Sequence, residues 1–157
     1  AEASGSLEPD STGHVWALET LETTRALGRS LARELPRGAI LLLSGPLGAG
    51  KTSLVQGLAE GLGITEPITS PTFALAQHYP QGEPQLVHLD LYRLEQPASA
   101  DELFLQEEEE ARAAGAFMAV EWPERLGLDL PEAWRLELRH QDEGRLAQLT
   151  TPRNSFT

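Results

Sequence analysis

The chain of 157 residues contains no cysteine. That absence excludes disulfide frameworks, thiolate nucleophiles and cysteine-ligated zinc or iron–sulfur sites. It fits a reducing compartment, and a cytoplasmic location is expected. No apolar run approaches the roughly 20 residues of a bilayer span. Residues 1–13 are polar and acidic and do not read as a secretory leader. Lysine is almost missing: Lys51 is the one lysine beside eleven arginines. Aspartate is sparse as well, at positions 10, 90, 101, 129 and 142, although acids total 24 against 12 bases. The formal net charge is −12. Phosphate backbones repel such a chain, because binding to them draws on Lys and Arg. Contact with RNA is therefore expected to be indirect, through a partner protein. The acidity is uneven: from Glu95 to Glu124 there are nine acids against one base, Arg112.

What is present is ordinary for one globular domain, with 40% hydrophobic and 23% charged residues. A chain of this length buries about two-thirds of its unfolded surface and needs no staple. The expected layout is a disordered tail over 1–13, a single domain over 14–151 and a loose tail over 152–157. Val15–Leu18 is a candidate strand. Leu21, Leu27, Leu31 and Leu35 recur at helical spacing behind Thr20, a candidate N-cap. Ala39–Ser44 is a continuous apolar run, as in a strand covered on both faces. A glycine loop follows, then a helix from Lys51 to about Leu62. Phe73–Tyr79 and Leu86–Leu91 read as strands across a turn-rich linker. A helix after Pro97 ends at Gly115. Ala116–Val120 is a second apolar strand, and a last hairpin turns at Asp142-Glu143-Gly144. Alternating strands and helices argue an α/β fold.

The loop carries the chemistry. Gly45-Pro-Leu47-Gly48-Ala49-Gly50-Lys51-Thr52 matches G-x-x-x-x-G-K-[ST] at every position. In that pattern glycines let backbone N–H groups converge on a phosphate, and the following helix points its positive end at the same anion. Lys51 bridges the β- and γ-phosphates, and the Thr52 hydroxyl takes a Mg²⁺ position. The plain alternative is a glycine turn that precedes a helix. The expected fold is thus α/β and P-loop NTPase-like: a mostly parallel sheet flanked by helices, with antiparallel hairpin additions.

Phosphoryl transfer also needs a carboxylate for Mg²⁺ and a group that positions the nucleophile. Asp90 ends Leu86–Asp90 and Glu121 ends Phe117–Glu121. Ligands in open α/β sheets bind beyond the carboxyl ends of strands, so either acid suits the metal. Arg93 is placed to meet phosphate charge or to serve as an ordinary ion-pairing arginine. His88 shares a strand face with Asp90, and a lone strand histidine is more often structural. Thr69, Ser70 and Thr72 form a proline-stiffened hydroxyl loop, either a γ-phosphate switch or a capping turn. The Glu107–Glu110 run reads as a solvated helix face or as a docking surface for a basic partner.

Taken in order, Gly45–Thr52, Ser70-Pro71-Thr72-Phe73, His88-Leu-Asp90-Leu-Tyr92-Arg93-Leu94 and Glu121-Trp122-Pro123-Glu124 resemble the TsaE (YjeE) family over about Leu18 to Thr150. Ser53 stands where a second threonine is common. The resemblance implies a Mg²⁺-dependent ATPase that supports N6-threonylcarbamoyladenosine formation in tRNA together with TsaB and TsaD. It implies that Lys51 and Thr52 serve phosphates and Mg²⁺, that Glu121 is linked to the metal and that Asp90 is essential. Thr69–Thr72 would be the switch-like loop. Gly45–Ser53 would hold the nucleotide, with Glu22, Thr24 and Arg145 lining its pocket and Trp122 packed nearby. A small-molecule kinase and a non-catalytic nucleotide sensor are the alternatives. The first is disfavoured by the lack of an arginine-rich lid, the second by the presence of both Asp90 and Glu121.

Overall fold

A computed structural model describes residues 13–46, 48–68 and 75–153. The apolar run before the glycine loop forms β2, Ile40–Ser44, whose three central leucines are buried. It lies in the middle of a seven-stranded sheet. The other strands are β1 (Gly13–Leu18), β3 (Ala76–Tyr79), β4 (Leu86–Asp90), β5 (Phe117–Glu121), β6 (Trp134–Gln141) and β7 (Gly144–Thr150). The order across the sheet is β1-β7-β6-β2-β5-β4-β3. Pairing is parallel between β6, β2, β5 and β4, and antiparallel where β1, β7 and β3 are added. Parallel pairing is therefore confined to the centre. The two expected hairpins, β3–β4 and β6–β7, supply two of the three antiparallel pairings.

Side-chain alternation sends successive leucines to opposite layers. Leu41 and Leu43 face a core built with α1 (Leu21–Glu34) and α2 (Lys51–Gly61). Leu42 faces a second core under α3 (Pro97–Ala114). Thr20 caps α1 as its spacing predicts, accepting a hydrogen bond from the Thr23 N–H at 3.0 Å. Gly115 ends α3 at φ 67°, the left-handed conformation that favours glycine at this position.

The two helices on the first face touch backbone to backbone. A Cβ on Gly57 would lie 1.9 Å from the Arg25 carbonyl oxygen, and one on Gly28 would lie 2.2 Å from that of Leu54. The helix that begins at the loop is thereby set tightly against α1.

The Glu107–Glu110 run departs from its reading as a solvated face. Ala100, Phe104, Glu107 and Ala111 form the buried stripe of α3, so Glu107 lies on the side that packs on the sheet. Among the described residues no helix is long and apolar enough to cross a membrane. The switch-like residues Thr69, Ser70 and Thr72, and Leu47 in the glycine loop, lie outside the described residues.

Candidate functional site

The glycine loop leaves the carboxyl end of β2 and enters α2. Gly45, Gly48 and Gly50 have φ values of 145°, 79° and 102°, a region side chains rarely adopt. At Gly45 the constraint is also steric, since a Cβ would lie 2.5 Å from the Leu138 carbonyl oxygen on β6. Gly50 is the N-cap of α2 and offers no side-chain cap, and the first turn holds no acid. No cap side chain or acid of the helix's own first turn opposes the positive field at its start, a field that favours an anion.

Arg145 reaches this loop from β7. Its Nε donates to the Ala49 carbonyl at 3.0 Å and its Nη2 to that of Gly48 at 3.2 Å. C=O and N–H point opposite ways in a trans peptide. Anchoring these two carbonyls therefore turns the N–H groups of Ala49 and Gly50 away from the guanidinium. Arg145 acts here as a brace on the loop. Thr24 packs beneath it: its methyl would be 3.6 Å from a Cβ on Gly50, and its hydroxyl donates to the Thr20 carbonyl at 3.2 Å. Glu22 is not brought to the cavity. It pairs with Arg29 at 2.8 Å, and that hydrogen bond holds its carboxyl below the usual range. Leu21, one residue earlier, lines the cavity instead.

Lys51 is only 5% exposed. Its Nζ donates to the Gly45 carbonyl at 2.6 Å and sits 3.9 Å from the centre of the Trp122 ring. Burial pushes its pKa below the ordinary lysine value, while Glu121, Glu124 and Asp90 oppose that shift. Trp122 has φ 60° and ψ 50°, an unusual backbone for a bulky residue, and its ring meets Tyr92 at 4.8 Å. The chain turn that follows β5 thus aims an aromatic face at the lysine.

Asp90 and Glu121 lie side by side in register on β4 and β5. The Tyr92 N–H donates to Asp90 Oδ1 at 3.1 Å. Burial raises the Asp90 pKa above its ordinary value, and the Glu121 charge acts the same way. Glu121 is 3% exposed, and its Oε2 lies 2.8 Å from Nε2 of the fully buried His88. His88 Nδ1 finds no hydrogen-bond partner among the described residues. An imidazole protonated at Nε2 and donating to Glu121 fits this arrangement. The strand histidine is therefore structural in a specific sense, because it fixes the direction of one carboxylate.

A cavity of about 480 Å³ joins these parts. Gly48, Gly50, Lys51, Thr52 and Ser53 form its floor, with Asp90, Glu121, Trp122 and Arg93 on its walls. Tyr92, quoted in the His88–Leu94 motif but given no role there, also lines it, as does Leu75, which the sequence did not single out. Tyr92 carries a usable signal, an aromatic two residues past a strand-end aspartate. Leu75 carries none. The hydroxyl of Thr52 and the carboxylates of Asp90 and Glu121 make an all-oxygen donor set, which suits a hard cation such as Mg²⁺.

The molecule is an α/β domain with a glycine loop and two registered carboxylates at the same end of a central parallel sheet. The family model for threonylcarbamoyl adenosine biosynthesis protein TsaE matches residues 18–148, and the chain belongs to the TsaE family, which takes part in that tRNA modification. A Nostoc protein named as a tRNA threonylcarbamoyladenosine biosynthesis protein TsaE is 45% identical over 134 residues, covering 85% of this chain and 82% of its own. A Synechocystis protein of the same name is 49% identical over 112 residues, 69% of each chain. The crystal structure of Bacillus subtilis YdiB matches with a TM-score of 0.70 and 29% identity, over 89% of this chain and 86% of its own.

Proposed function

We propose that the chain is a Mg²⁺-dependent ATPase of the P-loop class that supports N6-threonylcarbamoyladenosine formation in tRNA with TsaB and TsaD, in the cytoplasm. One observation carries this reading: the loop ending in Lys51 and Thr52 shares a cavity with Asp90 and Glu121. The cavity volume of about 480 Å³ falls within the range of small-molecule sites.

Thr52 and Glu121 would hold Mg²⁺, with Asp90 close enough to share it. Bound there, the ion would neutralise charge on the phosphates during transfer. Lys51 already lies in the cavity as a partly desolvated cation. Leaving the Gly45 carbonyl for a phosphate exchanges a neutral acceptor for a charged one, a stronger bond. His88 keeps the Glu121 carboxylate aimed while that exchange occurs. Asp90 accepts a hydrogen bond from, and so orients, the attacking water. The Trp122 and Tyr92 rings shield the lysine side of the cavity from solvent. Arg145 holds the Gly48 and Ala49 carbonyls and so limits how far the loop backbone moves when an anion arrives, although the Ala49 N–H must first leave the Pro46 carbonyl.

The test is phosphate release from ATP by the purified chain, alone and with TsaB and TsaD, read beside threonylcarbamoyladenosine formation on tRNA. Lys51→Ala is expected to lower turnover by about 10²-fold or more, as loss of one charged phosphate contact does. Retention of full hydrolysis in that variant rejects the site. Transfer of phosphate to an added small acceptor, with no effect on tRNA modification, would favour a kinase.

A further inference from the structure

α3 covers the face of the sheet opposite α1 and α2, and one side-chain pair ties it to the edge strand β3. The buried stripe of α3 is apolar at Ala100, Phe104 and Ala111, yet a carboxylate, Glu107, occupies the slot between the last two. Glu107 is 8% exposed. A charge buried in a core position requires a close partner. That partner is His78 of β3, whose Nε2 lies 2.6 Å from Glu107 Oε1. Glu110, one helical turn on, brings a third donor, and one ligand atom from each of the three residues lies within 4.8 Å of the others. None of the three lines the loop cavity.

We propose that His78, Glu107 and Glu110 bind a first-row divalent transition-metal ion, with Zn²⁺ the representative. One imidazole nitrogen and two carboxylates suit such an ion, whereas Mg²⁺ and Ca²⁺ prefer oxygen alone. At bond lengths of about 2.0–2.2 Å, tetrahedral ligand atoms lie roughly 3.3 Å apart. The buried Glu107 needs little motion, because the ion replaces the proton it shares with His78. His78 and Glu110 are exposed and close on the ion by rotating their side chains. Three protein ligands leave a coordination position open to water. The ion would pin α3 to the β3 edge, so binding appears as stabilisation of the folded chain.

The experiment titrates ZnCl₂ into the chelator-stripped full chain without nucleotide, following heat and thermal unfolding. The expected result is one Zn²⁺ per chain with a rise in Tm. Glu110→Gln removes an exposed ligand, and His78→Gln removes a ligand while its amide N–H can still serve Glu107; each should weaken binding by about tenfold or more. The double variant Asp90→Asn, Glu121→Gln, altered at the loop cavity, should bind Zn²⁺ as the native chain does. Native-like affinity in His78→Gln and Glu110→Gln overturns the proposal, as does loss of binding in the cavity variant. No uptake by the native chain at about 100 μM Zn²⁺, a concentration at which a site this weak would add little stability, also overturns it and leaves an ordinary His–Glu pair.

Discussion

Burial pushes the Asp90 carboxyl above its ordinary pKa, and the adjacent Glu121 adds to that effect against the Tyr92 N–H that favours the anion. An acid whose pKa rises on folding contributes stability while it is protonated, and that contribution is lost as the pH climbs through the folded value. Folding at neutral pH therefore forces an unfavourable charge into place, as expected for a group kept for function. In Mg²⁺-free buffer at pH 7, Asp90→Asn should melt at a higher temperature than the native chain. The gap should close as the pH falls below 3.8, the ordinary value for an aspartate. A lower Tm for the variant at pH 7 would show that the carboxylate stabilises the fold. The same substitution should leave nucleotide affinity near native while lowering turnover, whereas Glu121→Ala should raise the Mg²⁺ concentration needed for activity; a Mg²⁺ titration of phosphate release checks both. His88→Ala should cost about 3 kcal/mol of stability, because it leaves a buried carboxylate without its donor. His88→Gln keeps an N–H and should recover part of that loss in urea unfolding. Lys51, Asp90 and Glu121 were legible as residues because each sits at a local marker, a glycine loop or a strand end. The His88–Glu121 bond was not, since its partners are 33 positions apart and meet only across two strands.

At the scale of elements, the most informative contact is the crossing of α1 and α2. A Cβ on Gly57 would overlap the Arg25 carbonyl at 1.9 Å, and no rotamer change can relieve a clash with backbone. Alanine ordinarily stabilises a helix interior by about 0.5–1 kcal/mol relative to glycine. Gly57→Ala should instead destabilise by about 2–3 kcal/mol, the scale of overpacking in a tight core. Because α2 carries Lys51 and Thr52 at its start, nucleotide affinity should fall with it; urea unfolding and equilibrium binding measure the two effects. Periodicity located α1 and the glycine loop located α2, and the Thr20 and Gly115 caps marked ends that the structure reproduces. It could not reveal that Gly28 and Gly57 face one another, because glycine adds nothing to an apolar pattern. The same limit hid Glu107. Four consecutive glutamates look solvated, and only the 3.6-residue rotation of α3 decides which of them turns inward. Arg145 was placed near the loop by resemblance. Its action on two loop carbonyls required β7 to pair beside β6 and return to the site.

For the whole molecule, the layered design separates two chemistries. The loop cavity lies at the carboxyl ends of the central strands, while the acid-rich α3 covers the face opposite α1 and α2. The net charge of −12 and the run of acids from Glu95 to Glu124 favour a basic protein partner over bare RNA. Under the proposed function, the isolated chain should hydrolyse ATP slowly and TsaB with TsaD should accelerate it. Added salt should weaken that acceleration by screening the steering charges. The measurement is steady-state phosphate release with and without the partners, at low and high salt, and an identical rate in all four conditions would sink the idea.

Lys51 is the one lysine of the chain, nearly buried between the Gly45 carbonyl and the Trp122 ring. Chemistry directed at lysine side chains therefore has a single target. Acetylation of a lysine in this protein can fall nowhere else, and it would convert the loop cation into a neutral amide too bulky for its present seat. Reductive methylation, which retains the charge, labels one side chain besides the α-amino group, and its rate at that side chain reports how often the tryptophan moves aside.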